Sequence, residues 1–343
     1  MTPQKAKLSA GVVFVSTLPG GLIPDQQREA PRLTEAINRM MSLHDGDRGL
    51  LEVVACGKEA IAPLRVLLFK REPSGIYEPR RRVASALRSL QAYDVLREFL
   101  ALRREISDLV ERTGEDAVIN AVARELMCRP RETDFLLLLD VLRWRILPGV
   151  IESAGAFEKP EAIPYFIDAL AEDDCRPEAE TALLRLGRLG ESALVKCATR
   201  LPRSGFESAT SRRRRRSALE LLVEIGIAPE RWVRLRHLID EPDPKFAAPV
   251  CKLALMTPRI GDQRNAMERL LDLLGGSDWI VANNIEAWLF EHFSELSSRV
   301  DDVLAKGEVS LSDRARLALA RVKTPAISAR SKTTSQHAIE NFQ

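Results

Sequence analysis

Aromatic and histidine side chains are scarce in this chain, with four Trp, three Tyr, eleven Phe and four His in 343 residues. Sandwiches and barrels draw on aromatic and β-branched residues. The Leu, Ala, Arg and Glu that prevail here favour helices instead. Net charge is also missing: 51 Lys and Arg against 49 Asp and Glu leave +2, which argues for no particular partner. Cysteine is sparse and scattered (Cys56, Cys128, Cys175, Cys197, Cys251), with no C-x-x-C. That odd, scattered set suits a reducing cytosol. His44, His237, His292 and His337 stand apart, none beside a cysteine at a ligand spacing, so neither a metal nor another cofactor is expected. No apolar run approaches the roughly 18 residues that span a bilayer, so no membrane partner is expected. Lys5 and Lys7 before the apolar stretch 8–15 imitate a signal peptide, but no small-x-small cleavage site follows. The expectation is a cytoplasmic protein. Walker loops, G-x-G-x-x-G, G-x-S-x-G and H-E-x-x-H are all absent, which argues against an enzyme.

What is present is helix upon helix. A chain of 343 residues exceeds the usual single core and implies two domains or one repeat array. Residues 31–323 read as short helical segments separated by Gly, Pro or Asp, and the fold class is all-α. Proline recurs where helices start, at Pro79, Pro160, Pro177, Pro229 and Pro244, because its missing N–H would be unpaired there anyway. Asp243 can cap one of these helices, and Ser310-x-x-Asp313 reads as a capping box before the last. A longer helix is expected from Tyr93 to Thr113. Residues 1–30 show no helical periodicity, and the polar stretch 324–343 has the composition of a disordered tail.

The helices repeat. GKEAIAPL (57–64), KPEAIPYF (159–166) and GESALVKC (190–197) align Ile61, Ile163 and Leu194, at separations of 102 and 31. VASALRSL (83–90), AETALLRLG (179–187) and ALELLVEIG (218–226) align Leu90, Leu186 and Ile225, 96 and 39 apart. A unit of roughly 31 to 39 residues accommodates both series, with the long separations equal to three units. The stretch AGAFEKPEAIPYFIDAL (154–170), followed by 179–187, resembles a HEAT repeat of the short phycobilisome-lyase-like type. That family begins its first helix near E-A-I-P and ends its second in A-L-x-x-L-G. The resemblance implies an α-solenoid of about eight antiparallel pairs, with first helices convex and second helices lining a concave groove. Each pair leaves an apolar face that its neighbours cover, and a curved groove presenting side chains from successive repeats is expected to serve as a protein-binding or scaffolding surface.

Three groups of residues stand out. The first is Arg212, Arg213, Arg214, Arg215 and Arg216 at the head of a second helix, with Arg80, Arg81 and Arg82 at the head of another. Cations are unfavourable at a helix N-terminus. HEAT repeats resemble one another in one arginine that salt-bridges along the stack. By position, nine residues before Leu90 and Ile225, Arg81 and Arg216 fill that role and Arg176 is one place out. The other arginines are either a solvated ridge, neutralised by the acidic stretch 152–180, or a site for an anion or an acidic partner. Two such runs on one groove would also suit a nucleic-acid backbone. The second group is Trp279, Asn283 and Asn284. Asn is a poor interior helix residue, and Trp-x-x-x-Asn shares one face. The set is similar to the Trp/Asn ladder with which armadillo repeats hold an extended peptide; the alternative is a Trp packed in the core with asparagines in water. The third is Asp140, Arg143 and Trp144, in the apolar helix 135–147. Its residue types are similar to those of the HEAT-like alkylpurine DNA glycosylases. Their spacing equally predicts an intrahelical ion pair, buried because residues 135–139 are all apolar.

Overall fold

Proline and short polar caps set where the helices begin. Pro79, Pro177, Pro229 and Pro244 each sit in the first turn of an α-helix, and Pro160 opens a 3-10 turn, Pro160–Ala162. Asp243 accepts the Lys245 N–H at 3.0 Å, as its cap position requires. Helix ends are set by glycine where the chain turns left-handed: Gly187 and Gly226 follow their helices at φ of +53° and +80°. The computed structural model describes residues 26–200, 207–257, 261–305 and 313–323. Among them every regular element is helical and none is a strand. Ser310 lies outside the described residues, so the capping box proposed with Asp313 does too.

In chain order the α-helices are α1 (Gln26–Met41), α2 (Gly46–Ala55), α3 (Ile61–Phe69), α4 (Glu78–Ser89), α5 (Tyr93–Ala101) and α6 (Leu109–Leu126). Next come α7 (Glu132–Trp144), α8 (Pro148–Gly155), α9 (Ile163–Ala169), α10 (Arg176–Leu186), α11 (Glu191–Thr199) and α12 (Ala209–Ile225). The remainder are α13 (Pro229–Trp232), α14 (Pro244–Met256), α15 (Gln263–Gly276), α16 (Trp279–Glu291), α17 (Phe293–Ala305) and α18 (Asp313–Lys323). The single helix expected over Tyr93–Thr113 is in fact two. Leu102 turns extended, and Asp108 starts α6 by accepting the Glu111 N–H at 2.9 Å.

The packing is strictly sequential. Each even-numbered helix lies against the next, from α2 on α4 through to α16 on α18. Beside this row, α3 meets α5, α5 meets α7, α9 meets α11 and α15 meets α17. Every substantial contact between α-helices joins members at most three apart in chain order. Ile61, Ile163 and Leu194 fall in α3, α9 and α11, while Leu90, Leu186 and Ile225 close α4, α10 and α12. One apolar core runs the whole length, from Ala36 and Met40 to Leu319 and Val322. No helix among the described residues is long and apolar enough to cross a membrane.

Candidate functional site

The arginine runs divide into anchors and surface residues. Arg80, Arg176 and Arg215 each stand ten residues before the aligned Leu90, Leu186 and Ile225. Each donates from Nε to a carbonyl at the end of the preceding helix: Arg80 to Leu68 at 3.0 Å, Arg176 to Leu170 at 3.1 Å and Arg215 to Ala198 at 2.9 Å. Those carbonyls have no intrahelical donor, and the negative end of the helix dipole favours a cation there. Arg80 and Arg215 are buried, and they pair with Glu115 and Glu207. The register expected for the structural arginine is therefore wrong by one. Arg81 and Arg216 are the surface residues, each bonded to a glutamate of its own helix, and Arg176 is in register.

Arg82 is buried too, bridging Asp47 at 2.8 Å and the Ser42 carbonyl at 2.9 Å. Arg80 and Arg82 are thus enclosed within the chain and offer a partner no open face. The rest of the longer run is neutralised by neighbours: Arg212 by Asp243, Arg213 by Asp173 at 2.6 Å and Arg214 by Asp168 at 3.1 Å. Asp168 and Asp173 belong to the acidic stretch one helix pair earlier in the chain.

The third group is also on the surface. Asp140 and Arg143 pair at 3.3 Å with side chains 64% and 65% exposed, so the expected buried pair is not there. The apolar run misleads because Leu136 points outward, 66% exposed, while Phe135, Leu138 and Leu139 supply the packing. Trp144 is half-buried and carries the Arg145 guanidinium over its ring at 5.4 Å.

The face of α16 is different in kind. Trp279 is 67% exposed rather than packed in the core, and Phe290 is 54% exposed. Asp278 caps the helix by accepting the Val281 N–H at 3.0 Å, which fixes Trp279 in the first turn. Asn283 and Asn284 are exposed between the two aromatics. They open onto separate clefts. Asn284 lines one of about 120 Å³ against α12 and α14, and Asn283 lines one of about 480 Å³ against α18. In the first cleft the Lys252 ammonium donates to the Asn284 carbonyl at 3.2 Å and lies 5.6 Å from the Trp288 ring centroid. Burial pushes this lysine below its ordinary value, against the pull of Glu220, Glu291 and Glu224. Lys252, Trp288 and Phe290 carry no motif in the sequence, where they stand as isolated residues. The signal available was position, since Phe290 is eleven residues from Trp279 and so near the same helical face.

Among the described residues no cluster of His, Cys, Asp or Glu is arranged to hold a metal ion. No protein-family model, curated protein or solved structure matches this chain.

Proposed function

We propose that the chain is an α-solenoid of HEAT-like helix pairs that binds an extended segment of another protein, without catalysis, along the row of even-numbered helices. The sequential packing supports the solenoid, because each pair covers its apolar face with its neighbours. The observation that carries the binding role is α16. It presents two exposed aromatics flanking two asparagine amides that have no partner among the described residues, with a cleft on either side. A primary amide both donates and accepts, as an extended peptide backbone needs, and exposed Trp and Phe are the residue types that supply binding energy at interfaces. The nucleic-acid alternative, including a glycosylase centred on Asp140, requires cations free to meet phosphates, and the arginines of both runs already meet carboxylates within the chain.

A random peptide library selected on the wild type and counter-selected on Trp279→Ala/Asn283→Ala/Asn284→Ala tests this reading. Enriched peptides should lose roughly thirty-fold in affinity on the variant, about 2 kcal/mol, the size of an interface hot spot. Their binding should change little with salt. Peptides that bind both proteins equally, or duplex DNA bound with a steep salt dependence, would overturn it.

A further inference from the structure

A separate pocket lies where α9 and α11 meet the start of α12, with a volume of about 270 Å³. One wall is apolar, built from Ile163, Pro164 and Ile167. The rest of the lining is mainly cationic, with Lys196, Arg200, Arg214 and Arg215, and among the described residues the only acid that lines it is Asp168, held by Arg214. Ser211, in the first turn of the 17-residue α12, lines the same space.

The buried anchor singles this pocket out. Arg80 donates from both Nε and Nη2 to the Leu68 carbonyl, and Arg176 uses Nη2 for Asp173. Arg215 is 97% buried, and it commits Nε to Ala198 and Nη1 to Glu207. Its Nη2 has no hydrogen-bond partner among the described residues. An unmade hydrogen bond from a buried guanidinium is unfavourable by more than a neutral group's, so its equivalents in the chain satisfy it. Of the three anchors, Arg215 alone, the one lining this pocket, keeps a buried nitrogen unbonded among the described residues.

The charge count points the same way. Arg214 is balanced by Asp168 and Arg215 by Glu207. Lys196 and Arg200 are exposed and have no carboxylate within ion-pairing distance among the described residues. The wall therefore carries two surplus positive charges together with one unfilled donor. A single carboxylate leaves one of those charges unmatched, whereas a phosphate monoester near neutral pH carries about −1.5 to −2 and three acceptor oxygens. We propose that this pocket binds a phosphate monoester carried on a compact apolar body, the phosphate meeting Lys196, Arg200 and the free Nη2 of Arg215, and the apolar body lying on Ile163, Pro164 and Ile167. This site is on a different part of the fold from α16 and stands or falls independently of the peptide groove.

Phenyl phosphate titrated into the full-length protein by calorimetry is the direct test, with inorganic phosphate and phenol alongside. The expected result is saturable binding of phenyl phosphate, at least tenfold tighter than inorganic phosphate, with none for phenol. Lys196→Gln/Arg200→Gln should weaken it by tenfold or more while the unliganded melting temperature stays unchanged, since both side chains are exposed and unpaired. A phosphotyrosine hexapeptide distinguishes the sources. Tighter binding than phenyl phosphate assigns the site to a phosphorylated protein, equal or weaker binding to a free metabolite, and either outcome keeps the phosphomonoester. No binding of phenyl phosphate, equal binding by the double variant, or inorganic phosphate binding as tightly as phenyl phosphate would overturn the proposal.

Discussion

At the scale of single residues, five adjacent arginines do unlike things because a helix turns each toward a different neighbour. Arg215 faces the end of α11 and is enclosed, while Arg216, one residue on, pairs with Glu220 on the surface. Arg215→Met should destabilise the protein by roughly 3 kcal/mol, since breaking a buried pair strands Glu207 and the Ala198 carbonyl. Arg216→Gln should shift stability by no more than about 0.5 kcal/mol, the ordinary worth of an exposed i,i+4 pair. Urea denaturation of the two variants checks the contrast, and equal effects would refute the assignment of the anchor. The identity of that anchor was barely legible in sequence, because five identical residues offer nothing to choose between them. The ten-residue spacing shared with Arg80 and Arg176 was present all along, hidden by the assumption that Arg81 and Arg216 were the equivalents. The same logic applies to Asp140. With its partner Arg143 equally exposed, Asp140→Asn should lower stability by less than about 0.5 kcal/mol and leave the melt nearly unchanged.

At the scale of elements, helix starts were legible and helix interruptions less so. Proline and Asp243 announce themselves through chemistry that only a first turn tolerates. The break before α6 had a signal too, since Asp108-x-x-Glu111 is a capping pattern, but the apolar residues on both sides of it read as one continuous face. The start of α7 carries a titratable device of its own. Burial alone would raise the Asp134 carboxyl, but Arg97 bonds it at 2.7 and 2.9 Å and the Arg131 N–H at 2.7 Å. These bonds prevail and hold it below its ordinary value of 3.8. A carboxyl whose folded value is depressed contributes stability that is fully present above its unfolded value and is lost as pH falls through the folded one. Wild-type stability should therefore decline below about pH 4, and Asp134→Asn should be less stable at neutral pH yet show a shallower decline in that range. Thermal melts of both proteins from pH 7 to pH 2.5 measure it. Parallel curves would show that Asp134 contributes nothing to the acid transition.

At the scale of the whole molecule, the order of the helices was legible because the repeat spacing survives in the packing: Ile61 and Ile163 are three helix pairs apart in the structure, as 102 residues implied. The exposed face of α16 was not, because an apolar residue's period says which helix it belongs to and not whether a neighbouring helix covers it. Sequential packing has a thermodynamic consequence that distinguishes it from an ordinary core. If each helix is held only by members up to three places away, stability is a sum of local and nearest-neighbour terms and is transmitted poorly along the chain. Phe166 makes the sharpest probe. It is fully buried in α9, and Phe166→Ala should remove about 3–5 kcal/mol of packing. In a protein with one globally shared core, that loss would lower the protection of every slowly exchanging amide by the same amount. Here the loss should be concentrated in α8 to α12, which surround the vacated site, and fade toward α15 and α16, whose substantial packing toward those helices runs through α14. Hydrogen exchange followed by mass spectrometry, comparing wild type and Phe166→Ala, resolves the two patterns helix by helix. Protection lost uniformly from α2 to α16 would mean that the chain unfolds as one unit, and the linear account of its stability would have to be given up.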